Sequence, residues 1–177
     1  MDNRATDPLL RRHGRSLTLL MAVGAAGLVL VSVLLARLLS LDSCSLCIFQ
    51  RAIYFAISGA LLTAYGGWRR SPLRTGALTL GGGIAAGGMG AAGWQSWLQW
   101  FPDGGHGCRF GGQGIVEQLV EWLGQRSPTL FMATGSCENR DLVILGLSLA
   151  NWSFFAYTVL LAGSVVLLAY VKAPPAA

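Results

Sequence analysis

Cys44 and Cys47 are separated by Ser45 and Leu46, a spacing that places both thiols on one face of a helical turn, where they can open and close a disulfide or share a metal. Two further cysteines, Cys108 and Cys137, stand far apart in the one long polar segment of the chain. The thiolate is the species that attacks a disulfide, so a redox cysteine needs access and a setting that favours the anion. Cys47 has such a setting. It falls in the first turn of a helix, where the helix dipole favours negative charge, and Arg51 follows four residues later on the same face. An arginine at membrane depth is costly unless it has a role or a partner. Arg51 reads either as a stabiliser of a Cys47 anion or of an oxidant's carbonyl oxygen, or as a side chain that snorkels to the headgroups.

Three chemistries use thiols in this pattern. A zinc site usually draws on two short-spaced pairs, and only Cys44 and Cys47 are close, so no metal site is expected. Purely structural disulfides would include a bridge between residues i and i+3 at a helix start, which is strained and closes a trivial loop. A redox relay needs a terminal acceptor, and no Gly-x-Gly-x-x-Gly fingerprint for a flavin or nicotinamide is present. An apolar two-electron oxidant dissolved in a bilayer suits a dithiol at the membrane surface, and a quinone is the natural candidate.

The elements that must position these groups are membrane helices. The 177 residues are 53% hydrophobic and 12% charged, about half the charge usual in a soluble domain. Apolar runs at about 17–39, 48–65, 75–101 and 142–171 are each long enough to cross about 30 Å of hydrocarbon. The expectation is a single all-α membrane domain over 1–177, a four-transmembrane-helix bundle with helices at about 17–39, 45–66, 75–101 and 150–171 and external loops at about 40–44 and 102–149. Arg11, Arg12 and Arg15 before the first run could belong to a signal peptide, but the run is longer than an ordinary signal core and no small-x-small cleavage site follows, so a retained anchor is expected. Arg4, Arg11, Arg12, Arg15, Arg69, Arg70, Arg74 and Lys172 fall on one side, which is then cytoplasmic, with both termini. All four cysteines fall on the other, where disulfides persist. The net charge of +5 reads as this topology signal and not as a nucleic-acid patch.

The first helix reads as a plain Leu/Val/Ala anchor. The third is rich in glycine, from Gly76 to Gly93, which lets membrane helices approach closely or leaves room for a flat ligand. Trp94, Trp97, Trp100 and Phe101 form an aromatic belt at its outer end, and Pro102 stops it. In the long loop, the opening with His106 and Cys108 lacks regular-structure formers, while 115–123 has the spacing of a short amphipathic helix lying on the membrane. Asn151 and Trp152 lie at the outer start of the last helix.

Taken together, Cys44-Ser-Leu-Cys-Ile-Phe-Gln-Arg51, Trp97-Leu-Gln-Trp-Phe-Pro102, Ala133-Thr-Gly-Ser-Cys-Glu-Asn-Arg140 and Leu145-Gly-Leu-Ser-Leu-Ala-Asn-Trp152 resemble the disulfide bond formation protein B (DsbB) family of bacterial inner-membrane oxidoreductases, over nearly the whole chain. The resemblance implies a periplasmic loop disulfide between Cys108 and Cys137, attacked through Cys108 by a reduced DsbA-like thioredoxin-fold partner. Cys137 then exchanges with Cys44. Cys47, freed beside Arg51, passes electrons to ubiquinone or menaquinone through a charge-transfer or covalent adduct. Gln95 stands where some members carry a quinone-proximal histidine, and Ala150 where a proline often precedes the last helix; Gln95 and Trp152 are candidate quinone contacts. Two other readings are a vitamin K epoxide reductase-like enzyme, in which the Cys-x-x-Cys lies late in the chain, and a structural membrane protein whose disulfides staple its outer loop.

Overall fold

A computed structural model describes residues 7–40, 42–101, 114–131, 135, 137 and 142–172. In chain order the elements are α1 (Asp7–Leu38), α2 (Ser45–Gly66), α3 (Ser71–Trp100), α4 (Ile115–Arg126), α5 (Pro128–Phe131), a hairpin of β1 (Val143–Ile144) and β2 (Leu147–Ser148), and α6 (Leu149–Lys172). The Pro102 stop, the loop opening with His106 and Cys108, and Glu138 to Arg140 lie outside the described residues.

Local chemistry accounts for the boundaries. Cys44 is the N-cap of α2, in extended conformation, and its sulfur accepts a hydrogen bond from the Cys47 backbone N–H at 3.2 Å. Pro72 sits in the first turn of α3, where its missing N–H has no intrahelical acceptor to lose. The hairpin, which the all-helical expectation did not include, turns at Leu145 and Gly146, both at positive φ, with Val143 paired to Ser148 and Ile144 to Leu147. Two consecutive positive-φ residues match the twist of a tight hairpin.

Three helical stretches are long and apolar enough to cross a membrane: His13–Leu38, Ser45–Gly66 and Leu149–Val171. Their outward faces stay apolar, with Leu20 67%, Leu30 69% and Val159 68% exposed, a surface suited to lipid and not to water. The protein is a predominantly α-helical membrane protein.

Inside, α1, α2, α3 and α6 share one core that includes Val29, Ile57, Leu61, Leu78, Tyr157 and Leu167. Gly81, Gly82, Gly88 and Gly93 of α3 face neighbouring helices, while Gly76, Gly83, Gly87 and Gly90 meet nothing within 4 Å. A Cβ on Gly81 would lie 3.6 Å from Ala60, one on Gly82 3.4 Å from Ser164, and one on Gly88 only 2.5 Å from the Tyr157 ring. The ring of Tyr157 therefore occupies the room left at Gly88, and it stacks on Tyr54 at 4.3 Å with an interplanar angle of 8°. Two hydroxyls buried in the bundle meet backbone carbonyls: Ser58 of α2 donates across to the Ala22 carbonyl of α1 at 2.9 Å, and Thr18 to the Gly14 carbonyl one turn back at 2.8 Å. At the other end, Val116 and Val120 of α4 close a second, smaller cluster over Cys44, Leu46, Ile48, Leu98 and Cys137.

Candidate active site

The N-terminus of α2 carries the site. Cys44 and Cys47 are free cysteines whose sulfurs are 2.7 Å apart, brought together by the i, i+3 spacing of the first turn. From α3, the buried Gln95 side chain donates through Nε2 to Cys47 Sγ at 3.0 Å and to Cys44 Sγ at 3.2 Å. Its own Oε1 accepts from Gln50 Nε2 at 2.8 Å, so the buried Gln50 amide fixes which end of Gln95 faces the sulfurs. Gln50 is held in turn by its helix, and its carbonyl accepts from the Tyr157 hydroxyl at 3.0 Å. Either sulfur, on gaining charge here, meets an amide hydrogen of Gln95 already in place, with no reorganisation needed.

Arg51, one turn further along α2, faces α1. Its Nε donates to Ser32 Oγ at 3.1 Å, and Nη2 donates to Ser43 Oγ at 3.0 Å. Ser32 directs its own hydrogen to the Val29 carbonyl at 2.9 Å, which leaves its lone pairs free for the guanidinium. The planar fork is thus aimed by a hydroxyl from α1 and another from the loop before α2. Arg51 remains close enough to both cysteines for its charge to act on them.

These groups converge on a cavity of about 430 Å³. Cys44, Cys47, Gln95 and Arg51 line it beside other polar residues such as Asp42, Gln99 and Ser153, and Val31 and Leu35 of α1 and Phe155 and Val159 of α6 add apolar surface. Trp152 also lines it, but its indole N–H is committed to the Ile144 carbonyl at 3.1 Å, tying the start of α6 to the hairpin. Cys137 is disulfide-bonded and fully buried, in the same cluster as Cys44, with its sulfur 3.9 Å from Ser45 Oγ. Cys108 lies outside the described residues.

Ser32, Ser43 and Gln50 escaped the sequence reading. The first helix is more than an anchor, since it supplies the hydroxyl that aims Arg51. One signal was present: Ser32 is a lone hydroxyl among apolar residues in the outer half of the first run. Gln50 carried no such signal beyond being an uncharged polar residue one position before Arg51.

A dithiol at the head of a buried helix, opening on an apolar cavity among lipid-facing helices, defines a membrane thiol oxidoreductase. The family model described as disulfide bond formation protein DsbB matches residues 14–167. A protein named disulfide bond formation protein B from Dechloromonas aromatica is 41% identical over 150 residues, which is 83% of this chain and 87% of the relative. Proteins of the same name from Verminephrobacter eiseniae and Polaromonas naphthalenivorans are each 32% identical, covering 84% and 82% of this chain and 82% and 86% of theirs. The chain belongs to the DsbB family and is a membrane oxidoreductase of disulfide bond formation.

Proposed function

We propose that the chain is a protein-dithiol:quinone oxidoreductase of the bacterial inner membrane, which reoxidises a DsbA-like thioredoxin-fold partner in the periplasm and delivers the electrons to ubiquinone or menaquinone. Four helices, α1, α2, α3 and α6, cross the bilayer with both termini cytoplasmic, and α4 lies along the periplasmic surface.

The observation that carries this reading is the cavity. Its lining brings two sulfurs, an amide and a guanidinium together with apolar side chains of α1 and α6. That shape and polarity fit a flat carbonyl-bearing ring with an isoprenoid tail. When bound, the quinone supplies a sink for two electrons and two protons.

The chain's own residues do the rest. A thiolate of the reduced partner attacks Cys108, the Cys108–Cys137 bond breaks, and Cys137 leaves as a thiolate. Cys137 attacks Cys44 and displaces Cys47, which departs as a thiolate into the amide hydrogens of Gln95 and the field of Arg51. The second partner thiolate attacks the Cys108 mixed disulfide and leaves the partner oxidised. The released Cys108 thiolate then attacks Cys137, which restores the loop disulfide and leaves Cys44 and Cys47 as the reduced pair. Their reoxidation returns the Cys44–Cys47 disulfide. Arg51, Gln95 and Trp152 border the place where the acceptor's head would sit.

The test is quinol formation, followed by ultraviolet absorbance, with purified protein, ubiquinone and a reduced DsbA-like partner. Turnover that requires both reagents is expected. Cys47→Ser should abolish quinone reduction, and Cys108→Ser should block oxidation of the partner. A Cys108→Ser protein that oxidises the partner at the normal rate would contradict the assignment.

A further inference from the structure

The exchange between the two cysteine pairs requires Cys137 to be held beside Cys44, and the described residues contain one device that does so. Gly135 forms an isolated parallel β-bridge with Cys44, and its N–H donates to the Ser43 carbonyl at 3.2 Å. This lays Gly135 against the backbone that caps α2. The approach is too close for any side chain: a Cβ on Gly135 would lie 2.5 Å from the Asp42 carbonyl oxygen, 2.9 Å from the Asp42 carbonyl carbon and 3.1 Å from the Asp42 Cβ. The two closest of these are backbone atoms of the strand leading into the Cys44 N-cap, so they cannot swing aside as a side-chain tip could.

Two residues further on, Cys137 is fully buried in the cluster that contains Cys44 and Leu46, and its sulfur lies 3.9 Å from the hydroxyl of Ser45, the residue between them in sequence. The backbone bridge two residues before it therefore helps to fix where Cys137 sits relative to Cys44.

We propose that Gly135 is a positioning residue for disulfide transfer between the loop pair and the Cys44–Cys47 pair, holding Cys137 in register with Cys44 through a backbone contact that only glycine allows. This rests on the relay set out above. In the step it serves, the Cys137 thiolate forms a bond to Cys44 Sγ while the Cys44–Cys47 bond breaks. Cys47 leaves with the electron pair, so oxidation of one thiol matches reduction of the other and no outside oxidant enters. Displacement at sulfur depends on reach and alignment, and a misplacement of about 1 Å can cost about 100-fold in rate.

The experiment compares Gly135→Ala with the parent, both full-length in detergent, in two assays of quinol formation. The first uses a reduced thioredoxin-fold partner and runs through both cysteine pairs. The second uses dithiothreitol in a Cys108→Ser, Cys137→Ser background and reports only the Cys44–Cys47 end. Gly135→Ala is expected to lower kcat in the first assay by about 10- to 100-fold, with the KM for the partner unchanged and the dithiothreitol rate unchanged. Gly135→Val should lower kcat further. An unchanged kcat with the partner overturns the proposal. So does an equal loss in both assays, which would make Gly135 a residue of general stability. Failure of the relay itself would appear differently, as no quinol formed by the parent with either dithiol.

Discussion

Replacing Gln95 with leucine removes both hydrogens that face the sulfurs while keeping most of the side-chain volume. A hydrogen bond to a charged group is worth about 1.5–3 kcal/mol, and each 1.4 kcal/mol of barrier is about tenfold in rate. If the amide serves the Cys47 anion, as its 3.0 Å contact suggests, Gln95→Leu should lower kcat for quinone reduction by about 10- to 100-fold and leave the quinone KM near the parent value. A raised KM with kcat intact would assign the amide to the acceptor's carbonyl instead. Arg51 belongs to the other side of this division. Held by Ser32 and Ser43 in the wall of the cavity, it is placed to meet an acceptor, so Arg51→Ala should raise the apparent quinone KM. Ser32→Ala should do the same more weakly, because it releases the fork without removing the charge. An unchanged KM in Arg51→Ala would reduce the residue to a snorkelling cation.

At the scale of elements, the glycine stripe of α3 links packing to the site. Tyr157 reaches the Gln50 carbonyl only because its ring lies where a Cβ on Gly88 would stand. Gly88→Ala must displace that aromatic ring, and overpacking of this kind costs about 1–3 kcal/mol. The expected result is a lower midpoint in detergent thermal unfolding, together with slower quinone reduction as Gln50 loses its brace. A Gly83→Ala control, where a Cβ meets nothing within 4 Å, should leave both unchanged. The contrast shows what sequence could and could not convey. Spacing alone places Cys44, Cys47 and Arg51 on one helix face, and composition marks the apolar helices, because both are local properties. The Gln50–Gln95 pair depends on the register of α2 against α3, and the Ser32–Arg51 bond on the rotation of α1, neither of which a single sequence encodes legibly. The positive-φ turn at Leu145 was hidden for a related reason: leucine is not a residue that announces such a conformation.

For the molecule as a whole, the question is whether α3 crosses the bilayer, because that decides whether the two termini share a side. Hydropathy passes over α3, whose glycines and two glutamines dilute its apolar character. Its contacts argue otherwise. Along α2 they run from Gln95 against Gln50 to Gly81 beside Ala60 and Leu61, and along α6 from Gly93 beside Phe154, through Gly88 under Tyr157, to Gly82 beside Ser164. Partner numbers rise as α3 numbers fall, so α3 runs antiparallel to both helices over most of their length. An α3 at the membrane surface would strip this face from two helices that are themselves apolar enough to span. At about 1.5 Å per residue, its 30 residues reach about 45 Å, more than the hydrocarbon requires. Small residues on α3 are then what its place between two other helices demands, and the lipid-facing hydrophobicity that a span usually needs is supplied by its neighbours. The proposed four crossings would put both termini in the cytoplasm and the 101–142 segment opposite. Green fluorescent protein fused at either terminus should therefore fluoresce, and alkaline phosphatase should be active when inserted within that segment or between α1 and α2, and inactive at either terminus. A C-terminal phosphatase fusion that is active would place the termini on opposite sides and leave α3 outside the bilayer.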